Sequence, residues 1–483
     1  MAAKWLWIKT RGTSESVVGY LLVVAAAPSG DEFPIGHGIS MRAATRVWAY
    51  IGLNSFGGPA GQIAVMHREL VERRRWFSEQ RFLHALNFCM ILPGPEAQQL
   101  ATYLGWLMHG TRGGVIAGSL FVIPGFFAML FLAAAYAIFG DIAWVAGLLF
   151  GLQAAVVVIV LEAVIRIGKR TLRTRALQIT AATSFFAIAV LGVPFPYLVV
   201  GAALAGWLFG RTRPNWFALG GLRSDRNVDQ RPALLADDEG VTASAARSAL
   251  RAAAACAVLW LVPIAALFIA LGSENIFTQE AILFSKSALV TFGGAYAVLG
   301  YITQEAVTRY GWVTSKEMIT GLGLAETTPG PLIMVVQFVG FLAAYNSPGN
   351  LPPLVAGTFG AILAVWVTFV PCFLFIFLGA PYVERLRHNR SIAHALTAVS
   401  AAVVGVILNL GIWFAMQTAF GTVNQFTFGP LRLSIPEIGS INLAALAISL
   451  IAGALVFRFK VGTIKVLAVC AALGALTSIT GWI

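Results

Sequence analysis

Charge is scarce in this chain. Only 11% of its 483 residues are Asp, Glu, Lys or Arg, against about a quarter in soluble domains. With 58% hydrophobic residues and a mean hydropathy of +0.80, a soluble globular protein is excluded. Cysteine is scarce too: Cys89, Cys256, Cys372 and Cys470 lie scattered through apolar stretches. No pair has metal-ligand spacing and no disulfide framework is indicated, so they read as small buried apolar side chains. There is no Gly-x-x-x-x-Gly-Lys-Ser/Thr, hence no P-loop ATPase. No dinucleotide fingerprint follows a strand. No cofactor, metal or enzymatic activity is expected, and any transport must be driven by gradients. The net charge of +12 does not imply nucleic acid, because the basic residues sit in short loops between apolar segments, the positive-inside pattern.

What the chain has is long apolar runs. Residues 115–139 and 143–165 are continuously apolar over helix-spanning length. Barrel strands would alternate in shorter segments. The expected class is therefore an all-α polytopic membrane protein. Spans are read near 40–57, 82–109, 113–139, 143–166, 174–192, 195–210, 249–271, 276–298, 318–345, 352–380, 392–416, 440–457 and 462–482, about 13 in all. Lys4, Lys9 and Arg11 precede a short apolar run. That resembles a signal peptide, but a flexible cytoplasmic extension over 1–38 is the preferred reading, because a full span follows soon after.

Two stretches 236 residues apart are copies. Phe56-Gly57-Gly58, Glu69, Trp76 and Pro93-Gly94-Pro95 match Phe292-Gly293-Gly294, Glu305, Trp312 and Pro329-Gly330-Pro331, with 11 identities over 40 ungapped positions. This divides the chain into an extension (1–38), a first repeat (39–210), a cytoplasmic linker (211–248), an extra span (249–271) and a second repeat (272–483). The loop with Arg166, Lys169, Arg170, Arg173 and Arg175 is basic, and the preceding connection at Gly140-Asp141 is not. In the second repeat the matching connections carry the opposite bias: Arg385, Arg387 and Arg390 come first, and 417–430 is uncharged. Opposite bias at matching loops predicts inverted-topology repeats. One loop fits badly: 67–81 would lie outside although it holds five arginines. Re-entrant Pro-Gly-Pro segments would cure this, and the alternative stays open.

A Pro-Gly-Pro inside an apolar stretch must break an α-helix. The freed backbone is tolerated at membrane depth only in a protein-lined or wet cavity. The helix that restarts presents unpaired N–H groups suited to an anion. A simple kink is the competing reading, and recurrence at matching positions of two repeats favours binding. Pro93, Gly94, Pro95, Gln98, Gln99, Thr327, Thr328, Pro329, Gly330 and Pro331 are thus candidate substrate-binding residues, with Gly57, Gly58, Gly293 and Gly294 approaching from facing helices. Glu69 and Glu305, each with an arginine four residues on, are either exposed i,i+4 pairs or gates. Glu96, which opens the restarted helix, and Arg75 are further coupling or gating candidates, Arg75 being otherwise an anion attractor or a topology marker. Glu162 and Glu326 are intramembrane acids, and hence functional hypotheses.

Leu92-Pro93-Gly94-Pro95-Glu96-Ala97-Gln98-Gln99, Phe56-Gly57-Gly58-Pro59-Ala60-Gly61-Gln62 and Thr291-Phe292-Gly293-Gly294 resemble the two domains of the chromate ion transporter family. The likeness covers roughly 40–483. It implies a long-chain, two-domain member of the bacterial inner membrane that exports chromate and confers resistance, with sulfate as a competing oxyanion. A sulfate importer of the same fold and an anion channel are the alternatives. The lipid bilayer is the expected surrounding, and a homodimer is compatible with this reading.

Overall fold

The computed structural model describes residues 38–217, 234–235, 243–292, 294–382, 390–429 and 431–480. Gly293 lies outside them, as do nearly all of the 1–38 extension, most of the linker, and Arg385 and Arg387 of the charge argument.

The described residues are helical almost throughout. The first repeat runs α1 (Met41–Asn54), α2 (Gly58–His67), α3 (Glu79–Cys89), α4 (Glu96–Phe139), α5 (Ala143–Thr171), α6 (Arg175–Ala189) and α7 (Phe195–Thr212). Then α8 (Ala243–Leu271) follows. The second repeat runs α9 (Ile276–Val290), α10 (Ala295–Thr303), α11 (Ser315–Thr327), α12 (Val335–Asn346), α13 (Pro353–Gly379), α14 (Arg390–Ala419), α15 (Leu443–Gly453) and α16 (Thr463–Ile479). Between α14 and α15, β1 (Val423–Phe428), in the stretch read as an uncharged loop, and β2 (Leu431–Pro436), beyond it, form an antiparallel hairpin.

Among the described residues, five helices are long and apolar enough to cross a bilayer: α4, α5, α8, α13 and α14. The α8 window is only 6% buried. Val258, Leu261, Phe268 and Ile269 point outward, as apolar side chains do toward lipid. The inner helices pack on small residues. Gly147 and Gly151 of α5 lie against the backbone of Gly474 and Cys470 of α16, and Gly340 of α12 lies against Gly360 of α13. Close backbone approach of this kind is the usual membrane solution, since lipid offers no hydrophobic drive between helices.

One span read as continuous is not, and one break falls between two spans read as separate, 82–109 and 113–139. The expected span 276–298 stops at Val290, and α10 starts again at Ala295. Within α4, His109 and Gly110 leave helical geometry (Gly110 φ +60°). There the chain doubles back, so that Gly113 lies against Gly105 and Gly118 against Thr102.

The Pro-Gly-Pro segments are hairpin tips. The Phe88 and Tyr103 rings stand 4.9 Å apart, so α3 lies beside residues 96–108 instead of in line with them. In the second copy a Cβ on Gly321 would stand 3.0 Å from the Phe338 ring Cε1, which places α11 beside α12. Each arm of 11 to 13 residues rises only about 16–20 Å, short of the about 30 Å hydrocarbon core. Matched caps start both hairpins: Ser78 accepts from Arg81 N at 3.0 Å and Thr314 from Glu317 N at 3.2 Å.

Candidate functional site

Both tips are built the same way. After α3, Ile91 N and Leu92 N donate to Phe88 O and Cys89 O at 3.1 and 3.2 Å, and the ladder stops. Pro93 and Pro95 have no N–H to continue it. Gly94 takes φ +128° and Gly330 φ +94°, a region that favours glycine. Their two N–H groups find partners in the opposite repeat. Gly94 N donates to Thr291 O at 2.8 Å, and Gly330 N donates to Ser55 O at 2.8 Å. Ser55 and Thr291 are themselves matched positions, each preceding its Phe-Gly-Gly. Their hydroxyls turn back to Ile51 O and Ser287 O, which leaves the carbonyls to the tips. The two halves are therefore joined by reciprocal, crossed contacts.

Four helix starts are built from these motifs. Gly57 (φ +81°) caps α2, Pro95 caps α4, Gly294 (φ +107°) caps α10, and Pro331 caps the 3-10 turn Leu332–Met334 that leads into α12. Each start leaves its first N–H groups without an upstream carbonyl, carrying partial positive charge.

The side chains of the tips are buried and largely engaged. Gln99 Nε2 donates to Pro93 O at 2.6 Å, and Gln98 Nε2 to Thr102 Oγ1 at 3.0 Å. Gln62 Nε2 reaches Gly330 O, and Gln337 Nε2 reaches Phe126 O at 2.9 Å. Each amide keeps a second hydrogen, since an NH₂ has two. The Oε1 atoms of Gln98, Gln99 and Gln337 are buried with no partner among the described residues. Thr327 Oγ1 and Thr328 Oγ1 donate to Leu324 O at 2.7 Å and Ala325 O at 3.0 Å.

One acid and one phenol complete the centre. Tyr296 Oη, in the first turn of α10, donates to Glu326 Oε1 at the end of α11. A Cβ on Gly58 would stand 3.9 Å from Tyr296 Oη and 4.0 Å from Glu326 Oε2. Glu326 is thus at the second tip and beside the first Phe-Gly-Gly turn. Tyr296 escaped the sequence reading because its counterpart is Ala60. Glu280 escaped too, although an acid inside an apolar run was the available signal.

Glu69, Arg75 and Glu305 lie apart from the tips, at the feet of the repeats. A π-helical turn spans Arg68–Arg73 and another Gln304–Arg309, again matched. Glu69 is not exposed: its carboxylate is buried and ion-paired to Arg73 at 2.7 Å, to Arg74 and, at 3.9 Å, to Arg68. Among the described residues, Glu305 has Arg309 alone, at 2.9 Å. Arg75 closes the first π turn at φ +53°, where its counterpart Gly311 has φ +64°. Glu96 sits in the first turn of α4, and Arg170 of α5 acts on it electrostatically. An apolar groove of about 320 Å³ between α5, α6 and α14, lined by Val164, Leu172, Phe185 and Val404, has the wrong chemistry for an anion.

A family model described as Chromate transporter matches residues 43–207 and 278–475. A probable chromate transport protein of Synechococcus elongatus is 26% identical over 84% of this chain and 95% of the relative. A chromate transport protein of Cupriavidus metallidurans is 27% identical over 78% of this chain and 84% of its own length. One from Pseudomonas aeruginosa is 33% identical, over 76% and 79%. No solved structure matches.

Proposed function

Because the chain belongs to the chromate transporter family, we propose that it exports chromate across the bacterial inner membrane as a secondary transporter and so confers chromate resistance. The observation that carries this reading is the crossed pair of tip contacts, Gly94 to Thr291 and Gly330 to Ser55. It supports a centre shared by two repeats, at which broken helices start. A tetrahedral dianion suits four helix starts. Gln98, Gln99, Thr327 and Thr328 stand next to them. Sulfate has the same shape and charge and competes. The crossed contacts and matched hairpins are also what inverted repeats over 39–210 and 272–483 would produce, with 211–248 as a cytoplasmic linker and 249–271 as the odd crossing. The tips are then re-entrant, which removes the misfit of the arginine-rich 67–81 loop.

The energetics favour exit. A dianion leaving an inside-negative cell gains about 4.6 kcal/mol per 100 mV, twice the about 2.3 of a single charge. That is roughly a thousandfold gradient, and no nucleotide is needed. Glu69 and Glu305 with their arginines, at the feet of the hairpins, are the gating candidates.

The test is radiolabelled chromate accumulation by everted vesicles. Saturable, sulfate-inhibited uptake is expected. Gly94→Ala with Gly330→Ala should lower it about tenfold or more, since about 1–3 kcal/mol of backbone strain at each turn is worth that much. Uptake confined to right-side-out vesicles would establish an importer of the same fold. Uptake without saturation or counterflow would establish a channel.

A further inference from the structure

We infer that Glu326, held by Tyr296, is a proton site linked to the occupancy of the oxyanion centre. The inference rests on the reading of the tips as that centre.

Glu326 is 3% exposed and its carboxyl is bonded by Tyr296 Oη. Its other oxygen lies beside Gly58, where the N–H groups of α2 begin. An ionised Glu326 and a dianion bound at the start of α2 would therefore be close neighbours. Like charges there repel strongly, because little water screens them. The groups that face Glu326 do not remove this conflict. Tyr296 from α10 is neutral. Glu162 and Arg166 of α5 act on it in opposite directions and pair with each other at 3.1 Å. Among the described residues, the Glu326 carboxyl is hydrogen-bonded by Tyr296 and forms no ion pair; Glu96 is the acid at the start of α4, one of the other helices packed on α11. The conflict is relieved when Glu326 takes a proton. Oxyanion binding then raises the proton affinity of Glu326, and protonation raises oxyanion affinity by the same factor. Proton and dianion cross as one cargo of net charge minus one, which the membrane potential still drives outward.

The experiment uses purified full-length protein and sulfate as probe, since sulfate stays a dianion where chromate itself begins to protonate. Sulfate affinity is titrated from mildly alkaline to mildly acid pH. For the unaltered protein it should rise about tenfold to hundredfold. Glu326→Gln, which keeps the shape and stays neutral, should bind tightly and with no pH slope. Tyr296→Phe should keep the slope and move its midpoint. A pH dye in weak buffer should report proton uptake by the unaltered protein on sulfate addition, which needs no variant. A slope retained in Glu326→Gln, or sulfate binding without proton uptake, overturns the inference and leaves the oxyanion centre standing. Failure of the unaltered protein to bind sulfate or chromate at any pH overturns both.

Discussion

Glu280 of α9 has no exposed surface, and both its carboxyl oxygens lack a partner among the described residues. It faces Gly360 of α13, where a Cβ would stand 3.1 Å from Oε1. A buried unpaired acid costs stability, whereas an apolar isostere does not. Glu280→Met should therefore stabilise the protein by about 1–3 kcal/mol, read as a higher melting temperature in detergent. A fall would show that the carboxyl is engaged. Arg75 and Gly311 make a matched pair at positive φ. Arg75→Gly should gain about 1 kcal/mol and Gly311→Ala should lose about as much. Equal effects of the same sign would contradict the shared geometry.

Among elements, the π turns separate residues the sequence presents as equals. Glu69 and Glu305 each have an arginine four positions on, but only Glu69 is buried among three. The arginines around Glu69 are 33–58% exposed and stay solvated without it, so Glu69→Gln strands no buried charge and loses several charge-assisted contacts. Glu305→Gln loses one, to an arginine that is 65% exposed. Glu69→Gln should thus lower the yield of monodisperse protein more than Glu305→Gln does. The doubled-back α4 depends on Gly113, where a Cβ would stand 2.7 Å from His109 Cβ. Gly113→Leu should pry the arms apart and abolish folded protein on size exclusion.

For the whole molecule, the crossed hairpins predict a topology. In a background without Cys89, Cys256, Cys372 and Cys470, new cysteines at the exposed positions Gln80 and Arg112 mark the feet of the first hairpin. Lys316 and Asn350 mark the second. An impermeant maleimide should label the first two from one face of the membrane and the last two from the other. Labelling of Gln80 and Arg112 positions from opposite faces would mean that the first Pro-Gly-Pro crosses, and would overturn the inverted arrangement.

The sequence by itself determined class, duplication and break points. Low charge and long apolar runs admit only a helical membrane protein. Proline twice in three residues must stop a helix whatever surrounds it, so the breaks at 93–95 and 329–331 were legible locally. The pairing of the breaks was not. That Gly94 meets Thr291 and Gly330 meets Ser55 depends on contacts between residues about two hundred positions or more apart in sequence, which no local pattern encodes. The meeting of Glu326 and Tyr296, 30 positions apart, and the burial of Glu69 are likewise decided by the fold. Only the tertiary structure decided which acids are stranded in the interior, because burial is a property of neighbours and not of the residue.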